Sequence, residues 1–381
     1  MSNLDVFREA GNPMFNENKL KLGTFASNCS GALSMTLAET VFEPTFEKNV
    51  EIAKMAEAAG FECMIPLGRW RGWGGPSNFN GTSMEVYTWA AALAAVTEKI
   101  CLFATSHVGT VHPLLAAKQA ATIDHVSKGR FGLNIVTGNY REEMEMFGPK
   151  MMDHDRRYDY AGEWIEVVLK FWTEQYFDHA GEFFTINDGF LMPKPYQNPR
   201  PVLISAGTSP KGREFATKNC DINFGPSESM EKLTNWTREI KGFAWENYRR
   251  EIGTFTACMV VCRDTEKEAK EYYDYYVHEK GDWEAAGNAI KTMMGESKSF
   301  SMEFLQKFQE RFVAGVGYPL IGTPEQITEK LIELSATGVD GTLLNMVDYN
   351  VELPHWNEKV MPLLEQAGLR KPVKKNEPQS V

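Results

Sequence analysis

Cysteine is scarce. The 381 residues hold six, Cys29, Cys63, Cys101, Cys220, Cys258 and Cys262, and no two form a Cys-x-x-Cys pair. A disulfide frame or a zinc site of ordinary spacing needs clustered cysteines, so the six read as small core residues in a reducing compartment. The seven histidines include no HExxH, and there is no GxSxG elbow, which removes metal-dependent hydrolysis and α/β-hydrolase chemistry. Neither GxxxxGK[ST] nor a GxGxxG after a strand occurs, so the chain lacks a P-loop and a dinucleotide-binding fold of the usual type. No apolar run approaches the ~20 residues of a membrane span and no signal-like start is present, so the expected location is the cytoplasm. Basic charge is short as well: 40 Lys and Arg against 51 Asp and Glu leave a net charge of -11. That argues against nucleic-acid or anionic-membrane partners while leaving room for a local anion pocket.

What is present is an ordinary globular composition, 43% hydrophobic with 31 Gly and 18 Pro. At ~150 residues per domain the length allows two or three domains, but a (β/α)8 barrel can exceed ~250 residues as one. Short apolar runs alternate with segments of helical period almost to the end. Lys19 to Ala26, Phe61 to Leu67, Ile100 to Thr105, Arg130 to Thr137, Pro201 to Ser205, Asp221 to Phe224, Phe255 to Cys262 and Gly341 to Met346 read as eight strands. Gly60, Gly129 and Gly338 stop the helices that precede three of them. Tyr176 to Pro201 is expected to include a short hairpin. Eight strands in alternation with helices specify an α/β architecture, a closed (β/α)8 TIM barrel. Residues 1–381 are read as a single barrel domain with its core over 19–368. A Met-, Gly- and Phe-rich insertion without a clear strand, 280–321, precedes the last βα unit as a lid segment. Met293, Met294 and Met302 fit lid packing or a substrate box equally. A polar tail, 369–381, closes the chain.

On a barrel, chemistry sits where strands end, so those positions are the candidates. Strand two runs through Leu67 into Gly68-Arg69-Trp70-Arg71-Gly72-Trp73-Gly74-Gly75, a composition suited to laying a flat ring against backbone and offering Arg to an anion or carbonyl. Strand three ends at Thr105-Ser106-His107, and Asn134 lies within the apolar fourth strand. An amide there is either satisfied by the barrel interior or faces a polar ligand. His112, before Pro113 and a helix, reads as structural. The run Asp153-His154-Asp155-Arg156-Arg157-Tyr158 is not an established zinc pattern. It reads better as a helix start offering Arg157 and Tyr158 to an anion, or as a solvated amphipathic helix. Strand five ends in Ser205-Ala206-Gly207-Thr208-Ser209, a small-residue loop opening a helix, where free N–H groups and the helix dipole suit a phosphate.

Five fragments together resemble the luciferase-like superfamily of flavin-dependent oxygenases over Lys19 to Gly368. They are Ile65 to Arg69, Ala116 to Asp124, Gly129 to Gly138, Asp155 to Tyr158 and Ser205 to Ser209. Within it the chain is similar to the branch of alkanesulfonate, dimethyl sulfone and pyrimidine monooxygenases, and Arg71 to Gly75 is closest to the glycine-aromatic-glycine loop of the pyrimidine enzyme. The resemblance implies FMN contacts at Gly68, Arg69, Asn134, Glu143, Arg157, Tyr158 and Ser209. It also implies that Thr105 and Asn134 are catalytic, near flavin N5, donating hydrogen bonds to a flavin peroxide formed with O2. Leu67, Trp70, Trp73 and His107 are then the candidate substrate contacts, and no metal is expected. With no dinucleotide segment, a separate NAD(P)H:flavin reductase is expected to supply FMNH2 to a homodimer or homotetramer.

The sulfonate branch carries Arg and His on strand seven and an Arg on its mobile loop. Here Ala257 and Met259 stand on strand seven, and Phe312-Val313-Ala314-Gly315 has no Arg, although Arg311 lies just before it. An anionic sulfonate would lack most of its partners. The expected reaction is therefore an FMNH2-dependent monooxygenation of a small neutral substrate, a cyclic amide such as a pyrimidine, or a sulfone. Rivals are a deazaflavin- or flavin-dependent hydride transfer on the same barrel, an alkanesulfonate-type desulfonation, and a flavin-binding protein without turnover.

Overall fold

The computed structural model describes residues 2–39, 42–294 and 302–373. The described residues form eleven strands: β1 (Lys21–Phe25), β2 (Cys63–Ile65), β3 (Cys101–His107), β4 (Phe131–Val136), β5 (Phe177–Ala180), β6 (Thr185–Gly189), β7 (Val202–Ser205), β8 (Ile222–Phe224), β9 (Gly253–Cys262), β10 (Tyr318–Gly322) and β11 (Gly341–Asn345). β1, β2, β3, β4, β7 and β8 pair in parallel in that order, and β9 then joins β8 to β11, which returns to β1. The result is a closed eight-stranded parallel barrel, a (β/α)8 fold, with the β5–β6 hairpin outside it. Each barrel strand is fully or nearly fully buried because its inner face fills the barrel and its outer face meets a helix.

The inner layer includes Cys63, Ile65, Cys101, Phe103, Val202, Ile204, Ile222, Phe255 and Leu343. Their chain neighbours Met64, Leu102, Leu203 and Leu344 face the helices instead. The six cysteines are buried free thiols. Gly60, Gly129 and Gly338 stand just before strands with φ of 79°, 86° and 86°, a left-handed turn that lets each helix stop and the chain reverse.

Two features depart from sequence expectation. The 280–321 insertion, expected to hold no strand, contains helices Trp283–Met294 and Met302–Ala314 and then β10. β10 pairs only with the outer half of the ten-residue β9, Tyr318 opposite Cys258 through Gly322 opposite Cys262. An edge strand tolerates Pro319, whose missing N–H would break a central ladder, and this is why the run looked like loop. The tail also begins later than expected. Leu369 and Arg370 are buried, and Arg370 donates to Leu20 O at 2.8 Å and to both carboxylate oxygens of the equally buried Glu62 at 2.9 and 3.0 Å. Lys374 and Lys375, and the side chains of Met293, Met294 and Met302, lie outside the described residues. None of the described helices is long and apolar enough to cross a membrane.

Candidate active site

A cleft of about 370 Å³ opens at the C-terminal ends of β3, β4 and β7 and beside the loop after β2. Barrel register fixes its floor. Thr105 on β3 lies opposite Asn134 on β4, both facing inward and 5% exposed. Pro66 O can only accept, so Thr105 Oγ1 donates its proton there, at 2.5 Å. Thr105 must then accept from Asn134 Nδ2, at 3.1 Å, and this orients the amide. The relay leaves Asn134 Oδ1 buried without a partner. In this arrangement Thr105 has a lone pair to offer a ligand, its proton being held by Pro66 O, and Asn134 keeps one N–H.

Gly68 follows Leu67 along the same wall, and a Cβ on it would come within 2.8 Å of the His107 ring and 2.9 Å of Thr105 O. His107 is buried, and burial, reinforced by the nearby Arg69 charge, pushes its pKa down to about 3. It therefore presents a neutral imidazole to the cleft over the physiological range.

Behind this wall, Glu143 organises the loop after β2. Its carboxylate accepts from Trp70 N at 2.6 Å, Arg71 N at 3.1 Å and Arg69 Nη1 at 3.1 Å. The two side chains of the ion pair are 9% and 1% exposed. The Arg69 guanidinium lies 5.1 Å from the Trp73 ring, which stacks on Tyr140 at 4.3 Å. Leu67, Gly68, Arg69 and His107 line the cleft. Glu143, Trp70 and Trp73 stand outside its lining: Glu143 holds the loop from behind, Trp73 is packed, and Trp70 is 44% exposed against Phe147. The insertion closes onto the same loop, with Asn288 Nδ2 donating to Trp73 O at 2.9 Å and Ser77 donating to Asp282 Oδ2.

The opposite end of the cleft is built from small residues. Ser209 caps helix Pro210–Asn219, its Oγ accepting from Gly212 N at 3.1 Å. Gly207 and Gly212 approach so closely that a Cβ on either would lie 2.7 Å from the other's Cα, and Tyr158 OH sits over the pair. A helix N-terminus, a hydroxyl and bare backbone form a cradle that fits a phosphate. His154 lines the cleft one helical turn before Tyr158, with ring centroids 5.3 Å apart. Arg157 lines an adjoining small cavity, reaches Gly138 O with Nη1, and leaves its Nε buried and unpaired.

The sequence missed His154 and the clamping role of Glu143. The i, i+4 spacing of His154 and Tyr158 was the available signal for the first; no local signal reveals a clamp that spans 74 positions. His112 is, as expected, a helix cap, its Nδ1 accepting from Leu114 N at 3.2 Å. Among the described residues no group of three or more His, Cys, Asp or Glu could hold a metal ion. An elongated cleft with an unpaired amide oxygen at its floor and an anion cradle at one end suits a flat heteroaromatic group carrying a phosphate, and FMN has that shape and chemistry.

Comparison with known proteins agrees with this geometry. Residues 20–341 match the family model described as luciferase-like monooxygenase. An FMNH2-dependent dimethylsulfone monooxygenase of Pseudomonas putida is 31% identical over 358 residues, covering 91% of this chain and 96% of the relative. A pyrimidine monooxygenase of Rhizobium rhizogenes is 32% identical over 332 residues, covering 85% and 90%. The fold is shared with a riboflavin lyase solved with modified FMN and riboflavin, with TM-score 0.81, 24% identity and 92% of each chain covered.

Proposed function

This chain belongs to the luciferase-like monooxygenase family, and from that premise we propose that it is the oxygenase half of a two-component system. It binds FMN delivered in reduced form by a separate NAD(P)H:flavin reductase, and uses O2 to oxygenate or oxidatively cleave a small neutral substrate with a heteroatom, a cyclic amide or a sulfone. The observation that carries the reading is the relay from Asn134 through Thr105 to Pro66 O at the cleft floor, with the phosphate cradle at the other end. Reduced FMN supplies the electrons that activate O2.

The chain's own residues do the rest. Ser209, the backbone of Gly207 and Thr208, and Tyr158 hold the phosphate. Asn134 would offer one N–H and one carbonyl oxygen to the ring of a bound flavin, and Thr105 fixes that amide's orientation while offering a lone pair. His107, neutral, lines the cleft and would border the ring without adding charge. Arg69, held by Glu143, keeps a positive charge beside the cleft, and the loop that bears it joins the insertion in excluding water. Ala257 and Met259 put no cation on β9, which supports a neutral substrate over a sulfonate. Homo-oligomerisation and a cytoplasmic location belong to the same proposal.

The test is O2 uptake with photoreduced FMN across uracil, lactams and dimethyl sulfone, comparing wild type with Asn134→Ala. Substrate-dependent uptake is expected, with product formed per O2 falling at least ~10-fold in the variant, since one positioned donor in a dry site is worth that or more. Uptake indifferent to every substrate, or unchanged coupling in Asn134→Ala, would remove the basis of the reading.

A further inference from the structure

The barrel mouth holds a second amide that the site above does not use. Asn345 ends β11 on its inward-facing phase, since Leu343 packs inside the barrel while Leu344 packs beneath the helices. It is 1% exposed, and neither its carbonyl oxygen nor its NH2 has a hydrogen-bond partner among the described residues. Of the buried amides described, Asn345 alone leaves both ends unpaired. A buried polar group so placed calls for a partner.

Its described neighbours make no hydrogen bond to it. On one side, the register of Thr24 with Leu344 makes Phe25, which lines the cleft, its neighbour on β1. On the other, it pairs in register with Met259 of β9. Over it lies Gly315, at φ 106° just past helix Met302–Ala314, so close that a Cβ there would come within 2.3 Å of Asn345 Nδ2. Ser34 Oγ and Leu33 O also approach that Gly315 position, at 2.9 and 3.5 Å from a Cβ built there, but Ser34 donates to Ala314 O and neither bonds the amide, so a donor and an acceptor stand side by side unpaired next to the cleft.

We propose that Asn345 is a specificity-determining residue that reads a cis-amide, the –CO–NH– edge of a lactam or pyrimidine ring; this rests on the monooxygenase reading and narrows its substrate class. A carboxamide offers N–H and C=O at the spacing at which a cis-amide offers C=O and N–H, so two parallel hydrogen bonds form, as when asparagine reads an adenine edge. A sulfone has only acceptors. It can satisfy the NH2 of Asn345 but leaves Oδ1 buried and unpaired, and a site built to hydrogen-bond a group discriminates strongly against a ligand lacking it. Because the amide is 1% exposed, contact requires the Gly315 turn to lift as the ring enters.

The experiment is calorimetric titration of the FMN-loaded chain with uracil, 1,3-dimethyluracil and dimethyl sulfone. Wild type is expected to bind uracil at least ~10-fold more tightly than either of the others, and Asn345→Leu to bind uracil no better than the dimethyl compound. Asn345→Asp, nearly isosteric but without the NH2, should lose uracil affinity as well, and stands in if the leucine variant does not fold. The proposal is overturned by wild type that binds no uracil, by wild type that binds all three alike, or by variants that retain uracil affinity within about twofold. A water-bridged amide of purely structural use would give that last result. FMN affinity, read by quenching of flavin fluorescence, is the separate control. If FMN does not bind, the flavin reading fails and the titrations are run on the FMN-free chain; if it binds and the ligands are not discriminated, only the role of Asn345 falls.

Discussion

Glu143→Gln exchanges a single oxygen for NH2 at the point where the loop after β2 is held. The native carboxylate accepts two backbone N–H groups on Oε1 and the Arg69 guanidinium on Oε2. Glutamine has one acceptor. If its oxygen keeps Trp70 and Arg71, its NH2 faces Arg69 donor to donor; if it turns to Arg69, two backbone donors are stranded. Either way Arg69, 9% exposed, loses its counter-ion, and breaking a buried pair from one side costs ~3–5 kcal/mol. The faces of Trp73 and Tyr140, 5.1 and 5.9 Å away, hold the guanidinium where it is and limit escape to water. With an unfolding entropy of ~2.1 cal/mol/K per residue, 381 residues convert that loss into a melting temperature lower by ~4–6 °C. Scanning calorimetry reads it, and FMN affinity should weaken in parallel because the same loop carries Gly68 and Arg69. The double variant Arg69→Met/Glu143→Gln strands neither a charge nor the Trp70 and Arg71 N–H groups, which the glutamine oxygen still accepts, and should recover most of the stability. A melting temperature for Glu143→Gln within about 1 °C of wild type, or a double variant whose loss equals the sum of the two singles, would refute the clamp.

Two further outcomes are expected. Burial holds the folded pKa of His107 near about 3, below the ~6.5 of an unfolded histidine, so only the unfolded chain takes up its proton as the pH falls between those values. Stability present above ~6.5 should therefore drain toward pH 3 at up to ~1.4 kcal/mol per pH unit. Urea midpoints at neutral and mildly acid pH should fall less in His107→Phe than in wild type, and equal falls would contradict the assignment. Arg370→Met leaves the fully buried Glu62 without its counter-ion and should cost ~3–5 kcal/mol in urea unfolding, as should removal of the chain after Gly368; a truncated chain as stable as the whole would show that the pair contributes nothing.

The barrel was legible because parallel strands buried on both faces read as short apolar runs, and Gly60, Gly129 and Gly338 mark where their helices end. The Ser205 to Ser209 cradle was legible for a similar reason, since small residues opening a helix have a local meaning. β10 was hidden by Pro319 between two glycines, a composition that an edge position permits and a central one does not. Glu143 was visible only as a candidate ligand contact; that it clamps Trp70 and Arg71 depends on a contact between distant loops, which no periodicity encodes. Asn134 could be flagged as an amide inside an apolar strand, but its orientation follows from Pro66 accepting the Thr105 proton, a fact of three dimensions. Asn345 carried no comparable flag, being one polar residue at a strand end.

The close approach of Gly207 and Gly212 has a consequence for how this mouth can change. The proposed grip on a ligand there is by peptide groups, and a Cβ added at either glycine strikes the backbone of the other, so substitution at these two positions would break the grip but offers little scope for retuning it. Beside the cleft, around Met259, Gly315 and Asn345, the proposed recognition depends largely on side-chain identity on strands whose backbone stays fixed. On that proposal, exchange of one residue there would alter what is bound without disturbing the cradle, leaving the two regions free to diverge at different rates.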